Sequence, residues 1–112
     1  MPPSDFPGEF EQVVLLAILR RRDEAFALEI LDELEATAER SVSRGALYRT
    51  LDRMTDKGWV EWEVEESTPD RGGHRRRRFG VTPAGLEVLR HSRTVLRRLW
   101  DGLDPVMEER TP

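Results

Sequence analysis

Residues 41–66 read SVSRGALYRTLDRMTDKGWVEWEVEE, and the spacing of apolar residues changes period within them. As far as Gly58 the pattern is helical: Leu47, Leu51 and Met54 recur at intervals of three and four and form one narrow stripe. From Trp59 onward the interval is two, with Val60, Trp62 and Val64 on one side of a strand and Glu61, Glu63 and Glu65 on the other. The helix carries its own start and stop signals. Ser43 is placed to cap it, Val42 and Leu47 to staple its first turn, and Gly58 to end it. Ala46 stands where a capping box needs Glu or Gln. The outer face shows Gly45, Arg49, Asp52 and Arg53, with Arg44 and Tyr48 beside them.

A strand of this kind needs a partner, and PDRGGHRRRRFGVTPAG at residues 69–85 supplies one. A turn centred near Arg71 and Gly72 sets Val60 opposite Val81 and Trp62 opposite Phe79, so both strands agree on which side is core. The chain before the third helix predicts two more. Glu9 to Arg21 carries Phe10, Val13, Val14, Ala17 and Ile18 at helical spacing, its acids first and its arginines last, as the helix dipole favours. A second helix from about Ala25 to Glu39 repeats Phe26, Ile30, Leu34 and Ala38. After the hairpin, Thr82 caps a final helix with Pro83 in its first turn. Leu86, Leu89, Val95, Leu96, Leu99, Trp100 and Leu103 line that helix to about residue 103, and the chain from Asp104 reads as frayed. This is more apolar surface than a small core needs, so part of it is expected to meet a second chain.

The expected fold is mainly α with a small β-hairpin: a winged helix-turn-helix plus a C-terminal dimerisation helix. Residues 1–8, with three prolines and a glycine, read as a flexible N-terminal tail. Residues 9–82 form the winged-helix DNA-binding domain, and residues 83–112 the dimerisation helix and tail. In such a fold the third helix enters the DNA major groove and the hairpin tip reaches the phosphate backbone.

Charge distribution agrees with that division. The 112 residues carry a formal net charge of -4. Residues 1–39 hold three arginines against ten acids, residues 40–79 hold ten basic residues against seven acids, and residues 80–112 are balanced. A basic middle in an acidic chain is what a local anionic partner requires. Cysteine is absent, which removes disulfides, thiolate metal sites and a cysteine nucleophile. The two histidines, His74 and His91, stand apart, and the glutamates of the strand alternate as surface residues do, so neither an enzyme nor a cofactor is expected. The apolar run from Val13 to Leu19 is far shorter than the roughly 20 residues that span a bilayer. The first residues lack a signal peptide's basic and apolar regions, and a cytoplasmic protein without membrane contact is the simplest expectation.

Three stretches also resemble a known family. GEFEQVVLLAIL at 8–19, VSRGALYRTLDRMTDKGWV at 42–60 and RGGHRRRRFGVTPAG at 71–85 are similar, in order and spacing, to the PadR-type transcriptional regulators. The similarity runs from about Gly8 to Leu96. It implies a homodimeric repressor whose C-terminal helix supplies the dimer interface, in the short branch with a single such helix. Two stretches depart from the family pattern. Phe26-Ala27 replaces a frequent Tyr-Gly, and His74, Arg77 and Arg78 stand where the family tends to carry Arg, Lys and Tyr.

The expected DNA-binding set is Ser43, Arg44, Gly45, Tyr48, Arg49 and Arg53 on the third helix, with Arg71, Gly72, Gly73, His74, Arg75 and Arg77 on the wing. A guanidinium suits bidentate contact with guanine or phosphate, and the glycine pair lets backbone come close to a surface. Tyr48 either donates to a phosphate or packs on the second helix. Arg76 and Arg78 face Glu65 and Glu63 in the drawn register, and either neutralise their own sheet or reach DNA. Leu89, Leu96, Leu99, Trp100 and Leu103 are expected at a dimer interface, and the family resemblance implies the alternative of a small hydrophobic or aromatic effector held among them between two chains. The competing reading is a winged-helix module whose basic wing binds an acidic protein.

Overall fold

The computed structural model describes residues 6–66 and 75–109. Helix α1 spans Glu9–Arg21, and a 3-10 turn at Arg22–Glu24 leads to α2, Ala27–Ala38. Helix α3 is Arg44–Asp56, strands β1 and β2 are Val60–Glu65 and Arg76–Val81, α4 is Pro83–Trp100 and α5 is Asp104–Glu109. The architecture is a winged helix, three helices around a core with an antiparallel hairpin packed at its side.

The core is drawn from each element in turn. Val14, Leu15 and Ile18 of α1 meet Ile30 and Leu34 of α2 and Leu47, Leu51 and Met54 of α3, and Trp59, Val60 and Phe79 close the hairpin side. The hairpin takes the expected register, Val60 with Val81, Trp62 with Phe79, Glu63 with Arg78 and Glu65 with Arg76.

Four sequence expectations are corrected. The second helix begins at Ala27 rather than Ala25, because Ala25 and Phe26 are drawn into extended contact with β2: the Phe79 N–H donates to the Ala25 carbonyl at 2.9 Å, and Phe26 bridges Arg78. Trp62 and Val64 share a side with buried Val60 but are 42% and 44% exposed. The fourth helix stops at Trp100 rather than near Leu103, where Gly102 adopts a positive φ of 81°. Beyond it, the chain from Asp104 is a further helical turn and a half, not a frayed end, with Pro105 in its first turn.

Capping is largely local. Ser43 Oγ accepts the Ala46 N–H at 3.1 Å, and Thr82 Oγ1 accepts the Gly85 N–H at 3.0 Å. Gly8 caps α1 through its own N–H, which donates to Glu11 Oε1 at 2.8 Å. Helix α4 buries only Gly85 and Ser92, although Leu89 packs partly against the core. Its last turns leave Leu96, Leu99 and Trp100 exposed, Leu99 by 66%.

Candidate nucleic-acid interface

Helix α3 turns its apolar stripe fully inward, which fixes what faces out. Ser43, Arg44, Gly45 and Arg49 are exposed at its N-terminal half. Among the described residues, neither Arg44 nor Arg49 has a hydrogen-bonded or ion-paired partner. Gly45 lies one turn before Arg49, and a Cβ there would sit 3.4 Å from the Arg49 guanidinium, so the glycine gives that side chain room along the helix surface. Both arginines therefore keep their full donor sets for an outside acceptor.

Arg53 is held differently. Its Nε–H donates to Glu11 Oε2 at 3.0 Å, and Lys57 Nζ donates to the same oxygen at 3.1 Å. Burial pushes the Glu11 carboxyl up, but the Gly8 N–H, Arg53 and Lys57 together outweigh it and hold the group below its ordinary range. The expected DNA contact at Arg53 is thus a group already engaged in fastening α3 to α1.

The wing arginines alternate in role as their side chains alternate in direction. Arg78 donates to Glu63 at 2.9 Å and Arg76 to Glu65 at 3.2 Å, so these two neutralise their own sheet. The Glu63 carboxylate raises the Arg78 pKa further above its ordinary value. Arg76 also lies over the Phe26 ring, 3.6 Å from its centroid. Arg77 projects to the other side, toward Trp62 and Tyr48. Tyr48 packs edge-on against Phe79, with centroids 6.4 Å apart, so its ring rests on the hairpin. Arg75 reaches Glu66 at 3.6 Å, both side chains more than two-thirds exposed. Such a pair contributes little, about 0–1 kcal/mol, and gives way readily to phosphate. Arg71, Gly72, Gly73 and His74 lie outside the described residues.

These elements enclose a groove of about 580 Å³ between the start of α2 (Phe26 to Glu29), Arg44 and Tyr48 of α3, and Arg75, Arg76 and Arg77 of the wing. No side chain caps α2, and its first residues line this groove together with Arg44, Arg75, Arg76 and Arg77. Helix N-termini and arginines both favour anions. One acid intrudes: Glu29 Oε1 is buried here without a hydrogen-bond partner in the described structure. Among the described residues no set of acidic or histidine side chains is grouped to hold a metal ion, and no helix is long and apolar enough to cross a membrane.

On the opposite flank, Leu16 and Leu19 of α1 and Leu89, Leu96 and Trp100 of α4 line an apolar groove of about 790 Å³, rimmed by Arg90, Arg93 and Arg97. Leu103 lies between α4 and α5 and is 39% exposed.

A winged helix with a basic concavity beside its third helix defines a DNA-binding protein of the helix-turn-helix class. The sequence model of the transcriptional regulator PadR-like family matches residues 15–91, and the chain belongs to that family. It is a transcriptional regulator and not an enzyme. Solved structures share the fold. A PadR-like transcription factor from Bacteroides fragilis superposes with a TM-score of 0.69 at 24% identity, over 87% of this chain and 88% of that one. A PadR-like transcriptional regulator from Bacillus cereus gives 0.69 at 21% identity, over 88% and 90%. A PadR family regulator from Eggerthella lenta gives 0.66 at 24%, over 89% and 87%. No curated protein matches the chain in sequence.

Proposed function

We propose that the protein is a homodimeric, sequence-specific repressor whose two α3 helices enter successive major-groove faces of a near-palindromic site, about one helical turn apart. The observation that carries this reading is the contrast between Arg44 and Arg49, which are exposed with no partner among the described residues, and Arg53, Arg76 and Arg78, which are paired. Arg49 and Arg44 read base edges or adjacent phosphates from the exposed half of α3, with Ser43 and Gly45 beside them. Arg75 and the wing tip (Arg71, Gly72, Gly73 and His74) contact phosphate and hold the register. Residues 9–82 are the DNA-binding unit. Residues 83–112 pair two chains through Leu96, Leu99, Trp100 and Leu103, with Leu89 at the inner margin. The apolar groove between α1 and α4 suits a small hydrophobic or aromatic effector, whose binding would alter the spacing of the two α3 helices.

The test is fluorescence anisotropy of a duplex selected by the protein from a random library, against a shuffled duplex, over a salt series. Preference for the selected duplex is expected. If about six phosphates are contacted per dimer, log affinity falls with log salt at a slope near -5. Absence of salt-dependent binding to either duplex overturns the reading.

A further inference from the structure

Arg77 behaves unlike the arginines on either side of it. Arg76 and Arg78 use the sheet face that carries Glu63 and Glu65. Arg77 occupies the other face, where its guanidinium lies 4.7 Å from the Trp62 ring centroid on β1, 5.2 Å from that of Tyr48 on α3 and 5.9 Å from that of Phe79 on β2. Its Nη1 is 3.9 Å from Asp52 Oδ1. Tyr48 and Asp52 are four residues apart, so they lie one turn apart on the same side of α3. One side chain thus touches α3 and both strands.

Position in the hairpin gives this contact its weight. Apolar burial ends at the hairpin base, with Val60 and Phe79. Farther out, Trp62 and Val64 are 42% and 44% exposed, so apolar burial alone does not hold the outer hairpin against α3. Arg77 spans that gap. A planar guanidinium can lie over an indole or phenol face and still present an N–H edge to a carboxylate, whereas a lysine ammonium offers no planar stack.

We propose that Arg77 is a positioning residue, clamped by Trp62, Tyr48 and Asp52, that fixes the angle between α3 and the wing so that both engage one stretch of duplex together. The idea deepens the proposed DNA-binding function and rests on it. It assigns Arg77 to the protein's own geometry rather than to a phosphate.

The experiment compares wild type, R77K, R77M, W62A and the R77M/W62A double variant on the selected and shuffled duplexes across salt, with thermal unfolding to confirm that each is folded. R77K keeps the charge and loses the stack, so affinity for the selected duplex should fall about tenfold with the salt slope unchanged. W62A, which removes no charge, should lose a similar amount, and the double variant no more than the worse single one. If R77K instead binds like wild type while R77M flattens the slope by about one per arginine, Arg77 is a phosphate ligand and the proposal is overturned. Additive losses in the double variant overturn it too. A second readout needs no DNA: the Arg77 Nε–H resonance should shift toward its free-chain position in W62A, and an unchanged resonance counts against the clamp. Should wild type bind neither duplex, the DNA-binding function fails, and the clamp is decided by that resonance alone.

Discussion

Glu11 on α1 accepts the Arg53 Nε–H of α3 at 3.0 Å, although the two residues stand 42 positions apart in the chain. The same carboxylate accepts Lys57 and the Gly8 N–H, so one nearly buried group ties the start of α1 to the end of α3. Its removal leaves three donors short of an acceptor. E11A should lower stability by about 1–3 kcal/mol in urea unfolding. Wild-type stability in E11A would show that solvent replaces all three bonds without loss.

Glu33 offers a test by pH. It accepts the Thr37 hydroxyl, Arg20 at 2.7 Å and Arg21 at 2.9 Å, and these bonds hold its carboxyl down from 4.5 to about 2. A carboxyl depressed in the folded state stabilises the fold above its ordinary pKa and loses that contribution as pH falls through the folded value. The stability difference between wild type and E33Q should be full above pH 4.5, shrink below it and vanish near pH 2. Parallel stability curves for the two proteins across that window would contradict the assignment.

Gly85 is set by close approach. A Cβ there would stand 2.3 Å from the Trp59 carbonyl oxygen and 2.7 Å from Val81 Cγ1, where α4 crosses the base of the hairpin. G85A should destabilise the protein by about 1–3 kcal/mol or more, because backbone cannot move aside as a side chain can. Calorimetry of the purified variant reads this directly.

Arg49 and Arg75 should fail in different ways. R49A is expected to lose about 1–3 kcal/mol of discrimination between selected and shuffled duplexes. R75A should weaken both duplexes alike and flatten the salt slope by about one per arginine, or about two per dimer. Equal behaviour of the two variants on both duplexes would merge the roles assigned to helix and wing.

The exposed end of α4 makes the proposed dimer testable without DNA. Leu99 and Trp100 are 66% and 55% exposed in the single chain, so L99E and W100E should fold. Sedimentation equilibrium should find wild type at twice the chain mass and the double variant at the chain mass. A wild-type monomer would place the apolar face in some other contact.

What could be read from the sequence follows the range of the forces involved. The hairpin register was legible because two alternating patterns meet in only one way that keeps Val60, Val81 and Phe79 together, and the Ser43 and Thr82 caps act over three residues. Alternation names a side of a strand, however, not what lies above it. Trp62 and Val64 therefore read as core but are open. Ala25 and Phe26 carried a helical spacing that pairing with β2 overrode. Charge and position single out Arg44, Arg49 and Arg75 as candidates, and the fold leaves all three exposed. The engagement of Arg53 by Glu11 was not legible, since nothing near either residue marks the other. The stacked place of Arg77 has a signal in retrospect: residues 77 and 62 share a sheet face, and Tyr48 and Asp52 share a helix side.

The pairing of Ala25 and Phe26 with β2 has one more consequence. It covers part of that strand's outer margin, whereas the sheet consists of β1 and β2 and leaves β1 at its rim. A rim of free backbone donors and acceptors invites strand addition from another molecule. Glu61, Glu63 and Glu65 set a carboxylate at every second position there, so a copy of the same strand arriving alongside would meet like charge along its length.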